Sequence, residues 1–204
     1  MKAQNEKLLK EGASHRKNCN LCTESLLKAG DNTGYGAVIY RIGSSKNGWF
    51  ATLSPKTGGN PRLDFTIQIM PSMHLTHFSQ MNQNQKLAEN YGICFSKVCS
   101  AMTTRMMEDN PLRASAEKRE LVVSIATYGK STTWKEKKEH LHIKIFPFGG
   151  AIGQPYTVDS TFEKKEIFTE KNGNKFVKML PVKKVMISRK RFNDLKKRLI
   201  SLLN

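Results

Sequence analysis

No apolar run in this chain approaches the ~18 residues needed to cross a bilayer. The opening Met1-Lys2-Ala3-Gln4-Asn5-Glu6 lacks the apolar core of a secretion signal. Both absences lead to the expectation of a cytosolic protein with no membrane partner. Cysteine is scarce, with four in 204 residues, and in a reducing compartment that number does not indicate a disulfide framework. Acid is in short supply: 17 Asp and Glu face 34 Lys and Arg, a formal net charge of +17. Such an imbalance favours polyanionic partners, nucleotides and nucleic acid among them, and says nothing about fold. No internal repeat is visible. The hydrophobic fraction of 38% suffices for the core of one large domain, or of one domain with an appendage, without being rich.

What is present is organised in short alternating runs around one long periodic segment. Residues 1–17 are polar and read as a flexible arm. Leu21 to Ala29 reads as a short helix ended by Gly30. Gly36–Ile42 and Trp49–Leu53 read as strands about the turn Ser44-Ser45-Lys46-Asn47-Gly48. Lys56 to Arg62 reads as a loop, and Asp64 to Met70 as a third strand closed by Pro71. From about Gln83 to Met107, Leu87, Tyr91, Cys94, Phe95, Val98, Met102 and Met106 recur at helical spacing, so this stretch is predicted to be the longest helix. Its methionine-bearing stripe is a core face. Asn110-Pro111 ends it. Glu120 to Ala126 reads as a fourth strand and Tyr128 to Lys138 as a loop. Beyond Gly149-Gly150 the composition turns strongly basic. There Glu166–Thr169 and Lys175–Met179 flank Lys171-Asn172-Gly173-Asn174 as a hairpin. Lys183 to Ile187 is a further strand, and Ser188 caps a last helix with Phe192, Leu195, Leu199 and Leu202 on its apolar face.

The segment with the most chemistry is Glu139-His140-Leu141-His142-Ile143-Lys144-Ile145-Phe146-Pro147. Strict alternation predicts a half-buried strand, with His140, His142 and Lys144 on one face and Leu141, Ile143 and Ile145 on the other. Two imidazoles and an ammonium, about 7 Å apart in sequence along a strand face, suit a phosphate. An imidazole can attack phosphorus, while a fixed cation holds the oxygens whose charge changes. Cys19 and Cys22 form a Cys-x-x-Cys in a polar stretch, in contrast to Cys94 and Cys99 within the helical pattern. With two histidines, such a pair suffices for a tetrahedral structural zinc site.

Three segments in this order resemble the histidine-triad (HIT) superfamily. They are Cys19-x-x-Cys22; Phe50-Ala51-Thr52-Leu53-Ser54-Pro55 with the strand ending in Pro71-Ser72-Met73-His74; and His140-Leu141-His142-Ile143-Lys144-Ile145-Phe146, with the long helix between the last two. The resemblance covers roughly residues 15–150. It implies an α+β fold, an antiparallel sheet of about five strands with one long helix, often dimeric through that helix. The domain would span 18–150, and residues 151–204 would be a basic extension of hairpin and helix packed on or beside it.

By the same resemblance the protein is a nucleotidyl hydrolase or transferase acting on a nucleoside phosphoanhydride or related ester. His142 is the nucleophile that becomes nucleotidylated, Lys144 steadies the phosphate, and His140 positions the strand. Structural zinc would be held by Cys19, Cys22, His74 and His140, with His77 and His15 as competing fourth ligands.

The chain departs from the pattern in several places. Lys144 stands where relatives carry His or Gln, and a lysine cannot cycle protons near neutrality. Thr52 occupies the place of a ribose-gripping acid. Glu136-Lys137-Lys138-Glu139 replaces a Gln-Ser pair, leaving Ser131, Thr132 and Thr133 upstream as substitutes for substrate binding. A different class of function, a basic module holding RNA or DNA through its C-terminal region, follows from the charge alone and predicts affinity that falls steeply with salt.

Overall fold

The computed structural model describes residues 19–34, 36–58, 60–110, 125–130, 140–147, 162–181 and 184–204. The alternating runs pair into one antiparallel sheet. Its strands are β1 (Asn32–Thr33), β2 (Gly36–Ile42), β3 (Trp49–Leu53), β5 (Ile67–Pro71), β6 (Ile125–Lys130) and β7 (His142–Pro147), in the order β1-β2-β3-β5-β7-β6. β1 is a two-residue edge, so five strands carry the sheet. The short turn between β2 and β3 depends on Gly43, whose φ of +75° suits glycine. A Cβ there would stand 2.6 Å from the Asn90 Nδ2 atom. Asn47 closes the same turn by accepting from the Ser44 N–H at 2.9 Å.

One face of the sheet is apolar and covered. Ile39, Ala51, Leu53, Ile67, Ile69, Ile143 and Ile145 pack into a core with Leu87, Cys94, Val98, Met102 and Met106 of helix α2 (Gln85–Asp109). Asn84 caps this helix, accepting from the Leu87 N–H at 3.1 Å, and the Trp49 indole N–H donates to the Leu87 carbonyl at 2.9 Å. The first turn of α2 is thereby bound to β3. The fold is α+β, as the sequence implied. Among the described residues, no helix is long and apolar enough to cross a membrane.

The C-terminal helix α3 (Arg189–Leu203) joins the same core. Leu195, Leu199 and Leu203 are fully or almost fully buried in it, each worth about 2 kcal/mol of burial. Leu203 takes the innermost place expected of Leu202, one residue further round the helix. Ser188 caps it, accepting from the Arg191 N–H at 3.3 Å. The opposite face is not simply a solvated cationic stripe. Arg191 grips Asp109 of α2 through two nitrogens, at 2.8 and 3.2 Å, and Asp109 also holds Arg105 at 2.7 Å. Arg198 binds Glu108. Two arginines of the basic extension are thus spent on docking, which leaves Arg189, Lys190 and Lys197 as its exposed cations.

Asp109→Ala would leave two mostly buried guanidiniums facing each other. It is expected to cost about 3 kcal/mol in urea unfolding, whereas Glu108→Ala, at a half-exposed pair, should cost under about 1 kcal/mol. Equal losses would show that the buried aspartate is not the lock.

Several elements differ from expectation. β6 runs over Ile125–Lys130, later than the Glu120 to Ala126 expected, because it pairs along the whole of β7, from Ile125 opposite Pro147 to Lys130 opposite His142. Tyr128, Gly129 and Lys130, read as the start of a loop, are therefore strand. The first helix, α1 (Asn20–Glu24), is shorter than Leu21 to Ala29, with the Ser25 hydroxyl bonding back to the Cys22 carbonyl at 2.7 Å where it ends. Part of the Lys56–Arg62 loop is a two-residue strand, β4 (Lys56–Thr57). The hairpin of β8 (Phe162–Thr169) and β9 (Lys175–Pro181) forms about the expected turn. After it, β10 (Val185–Met186) pairs with β4. The arm at 1–17, His15, Ser131, Thr132 and Thr133 lie outside the described residues.

Candidate metal centre and the adjoining histidine

α1, the segment after β5 and the segment before β7 converge on one point. Cys19 and Cys22 come from the first, His74 from the second and His140 from the third. All four are buried, and their ligand atoms lie within 4.8 Å of one another. The His140 Nδ1 stands 3.4 Å from the Cys19 sulfur and 3.5 Å from the Cys22 sulfur, and the His74 Nδ1 stands 3.4 Å from the Cys22 sulfur. Ligands at zinc-type bond lengths around a tetrahedral ion are separated by about 3.3–3.8 Å, so these spacings fit a metal without rearrangement.

The donor set fits as well. The His140 Nε2–H donates to the Pro71 carbonyl at 2.8 Å, which turns the lone pair of Nδ1 toward the thiols. A backbone carbonyl on the far nitrogen is the usual support of a metal-binding imidazole. The His74 and His140 rings meet nearly edge to face, 5.2 Å apart, so neither blocks the other. The cluster can hold a metal ion.

The four cysteines fall into two chemical kinds. Cys19 is held far below the usual thiol range, chiefly by its hydrogen bond with Cys22, with His140 and His74 acting in the same sense and burial opposing them. Burial pushes Cys94 up to about 12 and raises Cys99. The first pair is ready to ligate, and the second behaves as core. His77, weighed as a rival ligand, instead opens the 3₁₀ turn Phe78–Gln83, its N–H donating to the Gln80 side chain at 3.0 Å. It is not part of the cluster.

His140 departs from the single-face reading of the strand. β7 begins only at His142, so His140 precedes it and is buried against sulfur and the Pro71 carbonyl. His142 and Lys144 are in the strand and half-buried, between Ile143 and Ile145 on the core side. The His142 Nδ1 is 3.1 Å from the His140 carbonyl oxygen. A carbonyl only accepts, so Nδ1 carries the proton and Nε2 keeps its lone pair.

Register adds a residue that sequence inspection passed over. Lys144 pairs with Gln68, and Gln68 pairs with Thr52. Paired residues share a face, so a hydroxyl, an amide and an ammonium stand in a row across β3, β5 and β7. Gln68 and Lys144 are half-buried and Thr52 is buried. The only earlier sign of Gln68 was its polar place in the alternating run Ile67-Gln68-Ile69. The chain matches no family model, no curated protein and no solved structure.

Proposed function

We propose that this protein transfers or hydrolyses a nucleotidyl group through a covalent nucleotidyl–His142 intermediate, on a HIT-like scaffold that carries structural zinc. The observation that carries the reading is the 3.1 Å bond from the His142 Nδ1–H to the His140 carbonyl, which leaves Nε2 as the nucleophilic atom of a half-buried ring. Lys144, two residues along the same face, supplies charge for the phosphate oxygens, and Gln68 and Thr52 extend a polar floor beside it. Phosphoryl chemistry asks mainly for such alignment and charge.

Zinc is the natural occupant of a buried Cys₂His₂ set. With four protein ligands it would have no open position, so its part is structural: it joins α1 to the residue whose carbonyl holds the His142 proton. The +17 charge and the order of the Cys-x-x-Cys, His74 and His140-x-His142 motifs around the long helix support the same reading.

The test is a trapping experiment. Incubation with nucleoside triphosphates labelled at the α-phosphate, followed by quenching in alkali, is expected to leave label on the peptide carrying His142. Label confined to other residues, or none with any of the four nucleosides, would refute the proposal.

A further inference from the structure

Lys144 and Gln68 stand side by side across β5 and β7, next to His142 on β7. Each can donate a hydrogen bond to a phosphate oxygen. Neither is suited to giving up a proton near neutrality, since an amide does not titrate there and a lysine ammonium ordinarily does so only near pH ~10. Thr52, next in the row, is a hydroxyl. His140, the other imidazole of the motif, is turned into the cysteine cluster with its Nε2–H on the Pro71 carbonyl. Among the described residues, then, the face around His142 binds and neutralises phosphate without a group that hands a proton to what departs.

From this placement we infer that the substrate is one whose leaving group departs unprotonated: a phosphoanhydride releasing a phosphate, or an equally acidic ester, rather than a phosphoramidate or alkyl ester. The inference rests on the nucleotidyl-histidine reading and narrows its substrate class. In the first step the His142 Nε2 lone pair forms the N–P bond while the P–O bond breaks, its electron pair leaving on oxygen as the phosphate anion. The Nδ1 proton stays on the ring. In the second step a water oxygen attacks phosphorus, the N–P pair returns to Nε2, and the proton lost by water passes to solvent, leaving a nucleoside monophosphate. Both steps balance without a protein acid.

The experiment uses the intact, metal-replete protein and adenosine and uridine 5′-monophosphate derivatives that differ only in leaving group: pyrophosphate, 4-nitrophenol, phenol, ethanol and an alkylamine. The rate of His142 labelling is expected to fall steeply, roughly tenfold for each unit rise in leaving-group pKa, with no measurable reaction of the alkylamine. Lys144→His, which restores an imidazole at this place, is expected to flatten that dependence and admit the poorer leaving groups. Equal rates across the series, or cleavage of the phosphoramidate as fast as the anhydride, would overturn the inference while leaving the covalent intermediate standing. Absence of label even from the pyrophosphate and nitrophenyl members overturns the intermediate itself, and the inference with it.

Discussion

His142→Ala is expected to lower nucleotidyl turnover by about a thousandfold or more, with no label on the protein and with an unchanged unfolding midpoint. The magnitude follows from the chemistry. Removing the nucleophile closes the covalent route and leaves only what Lys144 and Gln68 contribute by holding the phosphate, and residual catalysis of that kind is far weaker than the complete route. The structural cost is small, because the ring is half-buried and its bond runs to a carbonyl two residues away on the same chain, a contact worth about 1 kcal/mol.

Lys144→Ala should behave differently, lowering turnover while labelling at His142 persists, since it takes away charge and spares the attacking atom. Turnover measured beside circular dichroism separates these outcomes. A His142→Ala protein that turns over substrate normally would reduce the strand to a solvated edge carrying a histidine.

Parts of this arrangement were legible in the sequence for identifiable reasons. β2 and β3 were placed to the residue because β-branched and aromatic runs flank an unambiguous turn, and α2 was placed to within two residues because its buried stripe is periodic over seven turns. The metal quartet was legible through chemistry rather than pattern. Thiols and imidazoles are few in this chain, so their order along it limits how they can meet, although Cys19 and His140 are 121 residues apart.

What escaped was set by pairing between distant segments. β6 takes its limits from β7, which no local propensity reports. Arg191 and Arg198 looked like free cations because their acids lie 82 and 90 residues earlier, on another helix. Gln68 acquired a role only when register placed it opposite Lys144. The alternation that correctly set Ile143 and Ile145 inward also assigned His140 to the strand, where the pull of the cysteine cluster and the Pro71 carbonyl governs instead.

That pull makes Cys22 the residue whose loss should be felt most widely. Its sulfur is the one that stands within 3.5 Å of both imidazoles. Cys22→Ser is expected to reduce bound zinc from one per chain to well below that, and to lower stability by several kcal/mol. A metal that saturates its site a thousandfold above its dissociation constant contributes about 4 kcal/mol, and the buried hydroxyl and imidazoles left behind lose their common partner.

The effect should reach His142. Without the metal, His140 keeps only its Nε2–H bond to Pro71, and the carbonyl that holds the His142 proton belongs to that same residue. Labelling at His142 is therefore expected to fall together with zinc content. Cys99→Ser, at a partly exposed thiol on α2, is the matched control and should change zinc content not at all and stability by less than about 1 kcal/mol. Elemental analysis, thermal unfolding with and without a chelator, and the trapping assay read the three consequences independently. If Cys22→Ser and Cys99→Ser proved indistinguishable, and a chelator left the melting temperature of the parent protein unmoved, the four converging side chains would be a polar core cluster and nothing more.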